Sequence, residues 1–360
     1  MLRKTLLTAA IFLTGSVAAQ AAALKEIAQI PIPGQPMTSF DISFVDQKTQ
    51  RYYLADRSNK ALDIFDAKTN KFLGRVEGFV GAVEVDGKVV NSKSGPDGVL
   101  VIGDEAWVGD GDSTLKIVNL KTNKITATIA TGGKKRLDEM AYDPRDHIFI
   151  GVNNADEPPF ATLIATGPGH KILGKISFPD ASDGAEQPDY NPADGMFYLS
   201  IPELNKDART GGVAVIDPRK AAVVRMLPVN NCHPNGLAFG PSQNFALGCS
   251  VRGKDGMPPI ITIMNAKSGK TVAALADIGG ADMVAYSKKN NQYYTGSGNQ
   301  PGGGVLGVID ATSNKLVQKI AVAGGSTPHS VAVNDNDGHV FAPGGAAKGG
   351  CSCIHVFAPE

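Results

Sequence analysis

The chain carries no net charge, its 360 residues holding 35 lysines and arginines against 35 aspartates and glutamates. Nucleic-acid binding rests on a basic face, so no nucleic-acid partner is expected. Only four cysteines are present. That is too few for a disulfide-dense scaffold, and the fold must be held by its core. In an oxidising compartment they would still allow two bridges, in any of three connectivities. Beyond residue 21 no apolar run reaches about 18 residues, so no membrane span is expected in the mature chain. No long stretch there has helical periodicity, which leaves an all-β reading. A G-x-S-x-G nucleophile elbow, an H-E-x-x-H helix and a P-loop are all missing. GGGVLG at 302–307 matches G-x-G-x-x-G by letters, but a strand follows it rather than a helix. Trp107, the one tryptophan, is expected to pack in the core rather than stack on a ligand.

What is there begins at the N-terminus. MLRK supplies positive charge, LLTAAIFLTGSVA is a short apolar run, and AQA at 19–21 is a small-x-small cleavage signal. Residues 1–21 therefore read as a secretory signal peptide, which implies export to the periplasm. Without Arg3 and Lys4 the mature chain is weakly acidic. Residues 22–360 are expected to form one domain.

That domain is a repeat. An apolar strand, an Asp or Asn turn and a second strand recur in LDIFDAKTNKFLGRV (62–76), LKIVNLKTNKITATI (115–129), VAVIDPRKAAVVRML (213–227), ITIMNAKSGKTVAAL (261–275) and LGVIDATSNKLVQKI (306–320). TLIATGPGHKILGKI (162–176) is a degenerate copy, and CIHVFAPE ends the chain with one strand and no partner. The turns recur every 45 to 53 residues, the period of four-stranded propeller blades. A further hairpin lies between successive copies, so each unit holds four strands. LKEIAQIPIPG at 24–34 is the missing partner. The expected fold is an all-β, seven-bladed β-propeller whose ring is closed by the N-terminal strand completing the last blade.

The VIDATSNKLVQKI-type repeat resembles the YVTN propeller family and its lactonase-like relatives over the whole mature chain. The resemblance implies the propeller architecture and leaves function open. Relatives of this shape include lactonases, a lyase, the heavy chain of a methylamine dehydrogenase and pure binding proteins.

Loop lengths separate the two ends of the ring. The turns between first and second strands, and between third and fourth, are short, as in DQKTQ, DPRDH and DAKTN. The connections at the other end are long, as in NNADEPPFA (153–161), IPELNKDARTGG (201–212) and APGGAAKGGCS (342–352). Long loops on a rigid scaffold are where binding is expected. Aligning the inner strands places Asp41, Asp97, Asp138, Glu186, Asn235, Asp282 and His329 at equivalent starts, in one ring at the channel mouth. These residues either cap their own loops, as Asx turns do, or converge on a ligand. Oxygen ligands of this kind suit a hard divalent cation, Ca²⁺ or Mg²⁺, and a cationic small molecule would serve too. Arg57, Arg136 and Arg252 belong to the same face and would neutralise the acids without a metal. PNGLAFGPS at 234–242 resembles a phrase of the regucalcin and gluconolactonase family whose Asn binds metal, which implies a ligand role for Asn235. That family's Glu in the first blade has no counterpart in MTSFDISF.

His233 and His329 fall at the mouth, where each would be a general base or a ligand, or else a loop residue bonded to backbone. His147, His170 and His339 fall on the plain face and are expected to be exposed. Cys232 and Cys249 flank one hairpin, and a disulfide is expected there. Cys351, Cys353 and His355 form C-x-C-x-H, which would hold Cu(I) or Zn²⁺ or contain a local disulfide. The leading functional expectation is an exported propeller that binds a small ligand or divalent cation at its mouth. One alternative is a metal-assisted lactonase or lyase, with the acids holding the ion and His329 or His233 moving a proton. Another is a scaffold for a periplasmic redox partner.

Overall fold

The computed structural model describes residues 22–250, 257, 259–322, 328–346 and 350–360. The expected signal peptide and Arg252 lie outside the described residues. Seven antiparallel sheets of four strands stand around a central axis. Their inner strands are Ser43–Asp46, Val99–Ile102, Met140–Asp143, Pro188–Asn191, Pro234–Phe239, Met283–Ser287 and Ala332–Asn334. We number the blades one to seven in that order. A small extra hairpin, Glu84–Val85 with Lys88–Val89, projects between blades one and two. No helix among the described residues is long and apolar enough to cross a membrane.

The period of the repeat is the period of one turn chemistry. Asp66 Oδ1 accepts the N–H groups of Lys68 and Thr69 at 2.9 and 2.8 Å. Asn119 Oδ1 does the same for Lys121 and Thr122, both at 3.0 Å. The fifth residue of each such turn then needs a left-handed backbone, and Gln50, Asn70, Asn123, Gly195, Gly269 and Asn314 all have positive φ there. Asn and Gly take that conformation most readily, which explains the recurrent K-T-N and K-S-G endings.

Burial follows strand position. The second strand of blade three, Ile148–Asn153, is buried throughout because blades cover both of its faces. The outer strand of blade two, Lys124–Ala130, alternates between exposed and half-buried residues, as a strand with one wet face should. The core is correspondingly divided into seven apolar clusters, one in each wedge between neighbouring blades. Trp107 is fully buried in one of them, 4.9 Å from Phe149 of the next blade.

Blade seven is made from both ends of the chain. Leu24–Pro31 pairs antiparallel with Cys353–Pro359, from Leu24 opposite Pro359 to Pro31 opposite Cys353. Leu24 joins the wedge between blades six and seven, while Ile30 and Ile32 join the wedge between seven and one. At about 1.5–3 kcal/mol for each fully buried side chain, these three residues alone contribute roughly 5–9 kcal/mol. The net stability of a domain is about 5–15 kcal/mol. Deleting residues 24–32 is therefore expected to abolish cooperative thermal unfolding measured by circular dichroism. A truncated chain melting within a few degrees of the intact one would show that the ring closes without this strand.

Candidate functional site

Each inner strand starts where the chain turns in from a long loop, and the backbone marks these starts as equivalent. The N–H groups of Asp41, Asp97, Asp138, Glu186 and Asp282 donate to the carbonyls of Ala55, Gly109, Val152, Ser200 and Gly296, at 2.8 to 3.1 Å. Each acceptor lies near the end of the second strand of the same blade. The glycine after the ring position is a packing requirement. A Cβ on Gly98 would lie 2.0 Å from the Asp138 carbonyl oxygen, and one on Gly236 would lie 2.7 Å from the Val284 nitrogen. The P-D-G and P-N-G phrases thus mark where an inner strand closes against its neighbour.

The ring is stitched from blade to blade by side chains. Arg57, from the loop after the second strand of blade one, forms ion pairs with both Asp41 and Asp97. Arg136, from the loop entering blade three, reaches Asp138 at 2.5 Å and Asp41 at 3.0 Å. Its Nε donates to Asn154 Oδ1 at 3.3 Å. His329 places Nε2 3.2 Å from Asp41 Oδ1 and stacks its ring on Phe40 at 4.6 Å. Across the mouth, Asn235 Nδ2 donates to Asp282 Oδ1 at 3.0 Å. Just beneath, Gln187 accepts from the Leu237 and Val284 N–H groups at 2.9 and 3.2 Å, tying blade four to five and six.

Charge is divided unevenly. Two guanidiniums face three buried carboxylates on the side of blades one to three, and they cannot neutralise all three. Burial opposes ionisation of Asp41, but Arg57 and Arg136 hold its carboxyl well below the usual range. Burial dominates for Asp97, which is pushed up, and for Asp138, which is pushed up to about 7. Glu139, beside Asp138, is buried as well, and its Oε2 has no hydrogen-bond partner among the described residues. Burial pushes its pKa well up, and Asp138, Glu186 and Asp282 push the same way. Asn235 Oδ1 is a second buried oxygen without a partner.

The oxygens of Asp41, Asp97 and Asp138 lie close enough together to surround one ion. A cation there would meet Arg57 and Arg136 at contact distance, so the trio fits a divalent ion poorly. A second group of that spacing is Asp183, Glu203 and His233. His233 is buried, with Nδ1 3.8 Å from Asp183 and Nε2 3.7 Å from Glu203, and neither ring nitrogen has a hydrogen bond among the described residues. The expected Cys232–Cys249 disulfide is formed directly beside it. A cleft of about 680 Å³ opens on the same face, lined by Ser92, Arg136, Asn154, Asp156, Asp183 and Glu186.

Some residues escaped the sequence reading. Glu139 follows Asp138, and strand alternation left room for only one of them on the axis, yet both are buried. Two adjacent acids at a strand start were the available signal. Asp183 and Glu203 carried no local signal, because only the ring brings their loops to His233. Two expectations need correction. His147 is exposed, but His170 and His339 are half-buried. His170 lies 3.1 Å from Glu105 and edge-on to Trp107, and His339 lies 3.3 Å from Asp337.

No family model matches the chain, and no curated protein matches it in sequence. Among solved structures it is similar to the Kuenenia stuttgartiensis hydrazine synthase, at 15% identity, with a TM-score of 0.70 and coverage of 90% of this chain and 96% of that one. This likeness supports the seven-bladed propeller; the YVTN-type family itself is not confirmed.

Arg57→Met would leave Asp41 and Asp97 buried beside each other. A cost of about 3–5 kcal/mol is expected in urea unfolding at pH 8. The cost should shrink toward pH 5, as the unpaired acids take up protons, and Asp97→Asn should restore part of it. A loss that neither acid pH nor Asp97→Asn relieves would show that Arg57 acts by packing alone.

Proposed function

We propose that this protein is an exported binding propeller whose mouth takes a small organic cation such as an amine. The observation that carries this reading is Glu139, an acid that neither Arg57 nor Arg136 pairs among the described residues. Its Oε2 is buried and has no hydrogen-bond partner among the described residues, in electrostatic reach of Glu186 and Asp282. A buried carboxylate without a counter-charge either keeps its proton or acquires a cation. Spacing favours a molecule over a metal ion. Calcium needs several oxygens at about 2.3–2.6 Å, and among the described residues Glu139, Glu186 and Asp282 do not form a group of that density. An ammonium donates hydrogen bonds of about 2.8 Å in several directions and spans a looser set. Asn235 Oδ1 supplies a neutral acceptor at the same place. Glu139 itself lines a cavity of about 310 Å³ with Gln187, Asp189 and Met283, which gives room for the rest of such a ligand.

The pH dependence has a definite sign. The pKa of Glu139 is raised in the folded protein, so the fold binds more protons than the unfolded chain above the ordinary carboxylate range. Stability of the ligand-free protein should therefore fall as pH rises from that range toward the folded value. Affinity for a cation should rise over the same interval. Isothermal titration with primary amines and diamines, and in parallel with Ca²⁺ and Mg²⁺, tests both. Amine binding at pH 8 is expected to weaken at least tenfold in Glu139→Gln and in Asp282→Asn, with both variants folded. Glu139→Gln should also flatten the stability profile. Binding of Ca²⁺ or Mg²⁺ alone would replace the amine by a metal.

A metal-assisted lactonase or lyase is the second reading, and His233 favours it. A buried imidazole with two acids just beyond hydrogen-bond distance is a nitrogen and oxygen donor set, and a bound ion would act there as a Lewis acid. Turnover of a lactone panel in the presence of Mn²⁺ or Zn²⁺, lost in His233→Ala, would establish it. Equal turnover in that variant would remove it.

A further inference from the structure

We infer that Cys351, Cys353 and His355 form a site for a soft, thiophilic cation, Cu(I), which opens when the two cysteines are reduced. The site lies on blade seven, at the strand that closes the ring, and is independent of the mouth. Cys351 is half-buried, Cys353 nearly fully buried and His355 fully buried. Alternation along Cys353–Pro359 puts Cys353 and His355 on the same side of the strand. In the structure the two sulfurs are joined to each other.

The imidazole is held as a ligand rather than as filler. Its Nδ1 lies 2.8 Å from Glu26 Oε1. A carboxylate accepts, so Nδ1 carries the proton and Nε2 presents its lone pair. Nε2 faces the sulfurs, 3.4 Å from Cys351 and 3.6 Å from Cys353. Metal–sulfur and metal–nitrogen bonds of about 2.3 and 2.0 Å, at trigonal to tetrahedral angles, set a sulfur–nitrogen separation of about 3.5–3.7 Å. The observed nitrogen–sulfur distances are close to these, and reduction would free the two sulfurs to move to the roughly 3.8–4.0 Å apart that two metal–sulfur bonds set. A carboxylate on the far nitrogen of a metal-binding histidine is the usual orienting partner.

Three donors, two of them thiolates, select the ion. Thiolate ligands suit Cu(I) and Zn²⁺. Structural zinc takes four ligands, and these residues form a group of three among the described residues. Cu(I) is content with three. The chemistry balances simply. A thiol reductant supplies two electrons and two protons, breaks the sulfur–sulfur bond and is itself oxidised to a disulfide. Cu(I) then displaces both thiol protons and binds the thiolates and Nε2. The oxidised pair offers no thiolate, so loading is switched by thiol exchange.

Glu26 gives the site a second consequence. It belongs to the closing strand, at the register shift between Glu26 and Ala28, where a bulge re-aims side chains. A bound ion thus links the last strand to the first through His355 and Glu26.

The test is a competition of the full mature chain against a Cu(I)-chelating dye, in the reduced and oxidised forms. One equivalent is expected to bind the reduced protein and none the oxidised. Cys351→Ser/Cys353→Ser should abolish uptake, His355→Ala should weaken it at least tenfold, and Glu26→Gln about 10- to 100-fold. Melting temperatures of the unloaded variants report whether each folds, and Cu(I) should raise that of the reduced wild type. Asp282→Asn at the mouth should leave uptake unchanged. The inference is overturned if the reduced wild type binds no more Cu(I) than the double serine variant, or if uptake depends on Asp282 instead.

Discussion

Pairing between the two ends of the chain is the interaction on which everything else in this molecule rests. Six blades can be built from hairpins close in sequence. The seventh needs Leu24–Pro31 to travel the whole ring and dock on Cys353–Pro359. Until it does, two of the seven apolar wedges lack Leu24, Ile30 and Ile32, and Cys353–Pro359 stands as an open sheet edge. The contact carries the largest sequence separation in the fold, so its loop-closure entropy is met only by the burial it completes. Pro31 at the strand's end and the bulge after Glu26 do not disturb it, because this strand is the outermost of its blade and has a free edge.

Closure then imposes its own electrostatic problem. Seven inner strands start around one narrow axis, and any polar residue at that position is brought into a shared, poorly hydrated space. Several carboxylates there repel one another and resist ionisation. Two remedies are visible. On one side arginines from neighbouring loops enter the ring, so that Asp41 and Asp97 share Arg57, while Asp41 and Asp138 share Arg136. On the other side an amide replaces an acid, and Asn235 donates to Asp282. Among the described residues Glu139 receives neither remedy, which is why the proposed ligand is assigned to its side of the ring.

Local chemistry and the closing strand were legible in the chain, and side-chain pairing between loops was not. The D-x-K-T-N turns announced the blades because an Asx cap and a left-handed fifth residue are satisfied within five residues. Six ring positions were legible because they repeat at a fixed distance from those turns, and Asp97 because its P-D-G matches P-N-G; five of the seven share one backbone hydrogen bond to the second strand of their blade. Which cation each acid meets was beyond reach. Arg57 and Arg136 come from loops of different type, and nothing in either loop states how far its side chain extends. The same holds for Asp183 and Glu203 around His233. His170 escaped for a related reason, since its turn is short and polar but Trp107 and Glu105 belong to the preceding blade.

A repeat of this kind hides function in its exceptions. Positions that obey the sevenfold pattern are explained by turns, wedges and strand approach, and they would be the same whatever the protein bound. Asn235 and His329 are the ring members that are not acids, and each sits against an acid of the next blade, Asp282 and Asp41. Asn235 and His329 thus bracket, among the described residues, the arc of Asp41, Asp97 and Asp138 that Arg57 and Arg136 bridge. Blade seven departs in another way, since its third strand carries the only C-x-C-x-H of the chain where other blades have apolar residues and a turn. Symmetry sets where side chains meet, and the breaks in symmetry decide what remains for a ligand to satisfy.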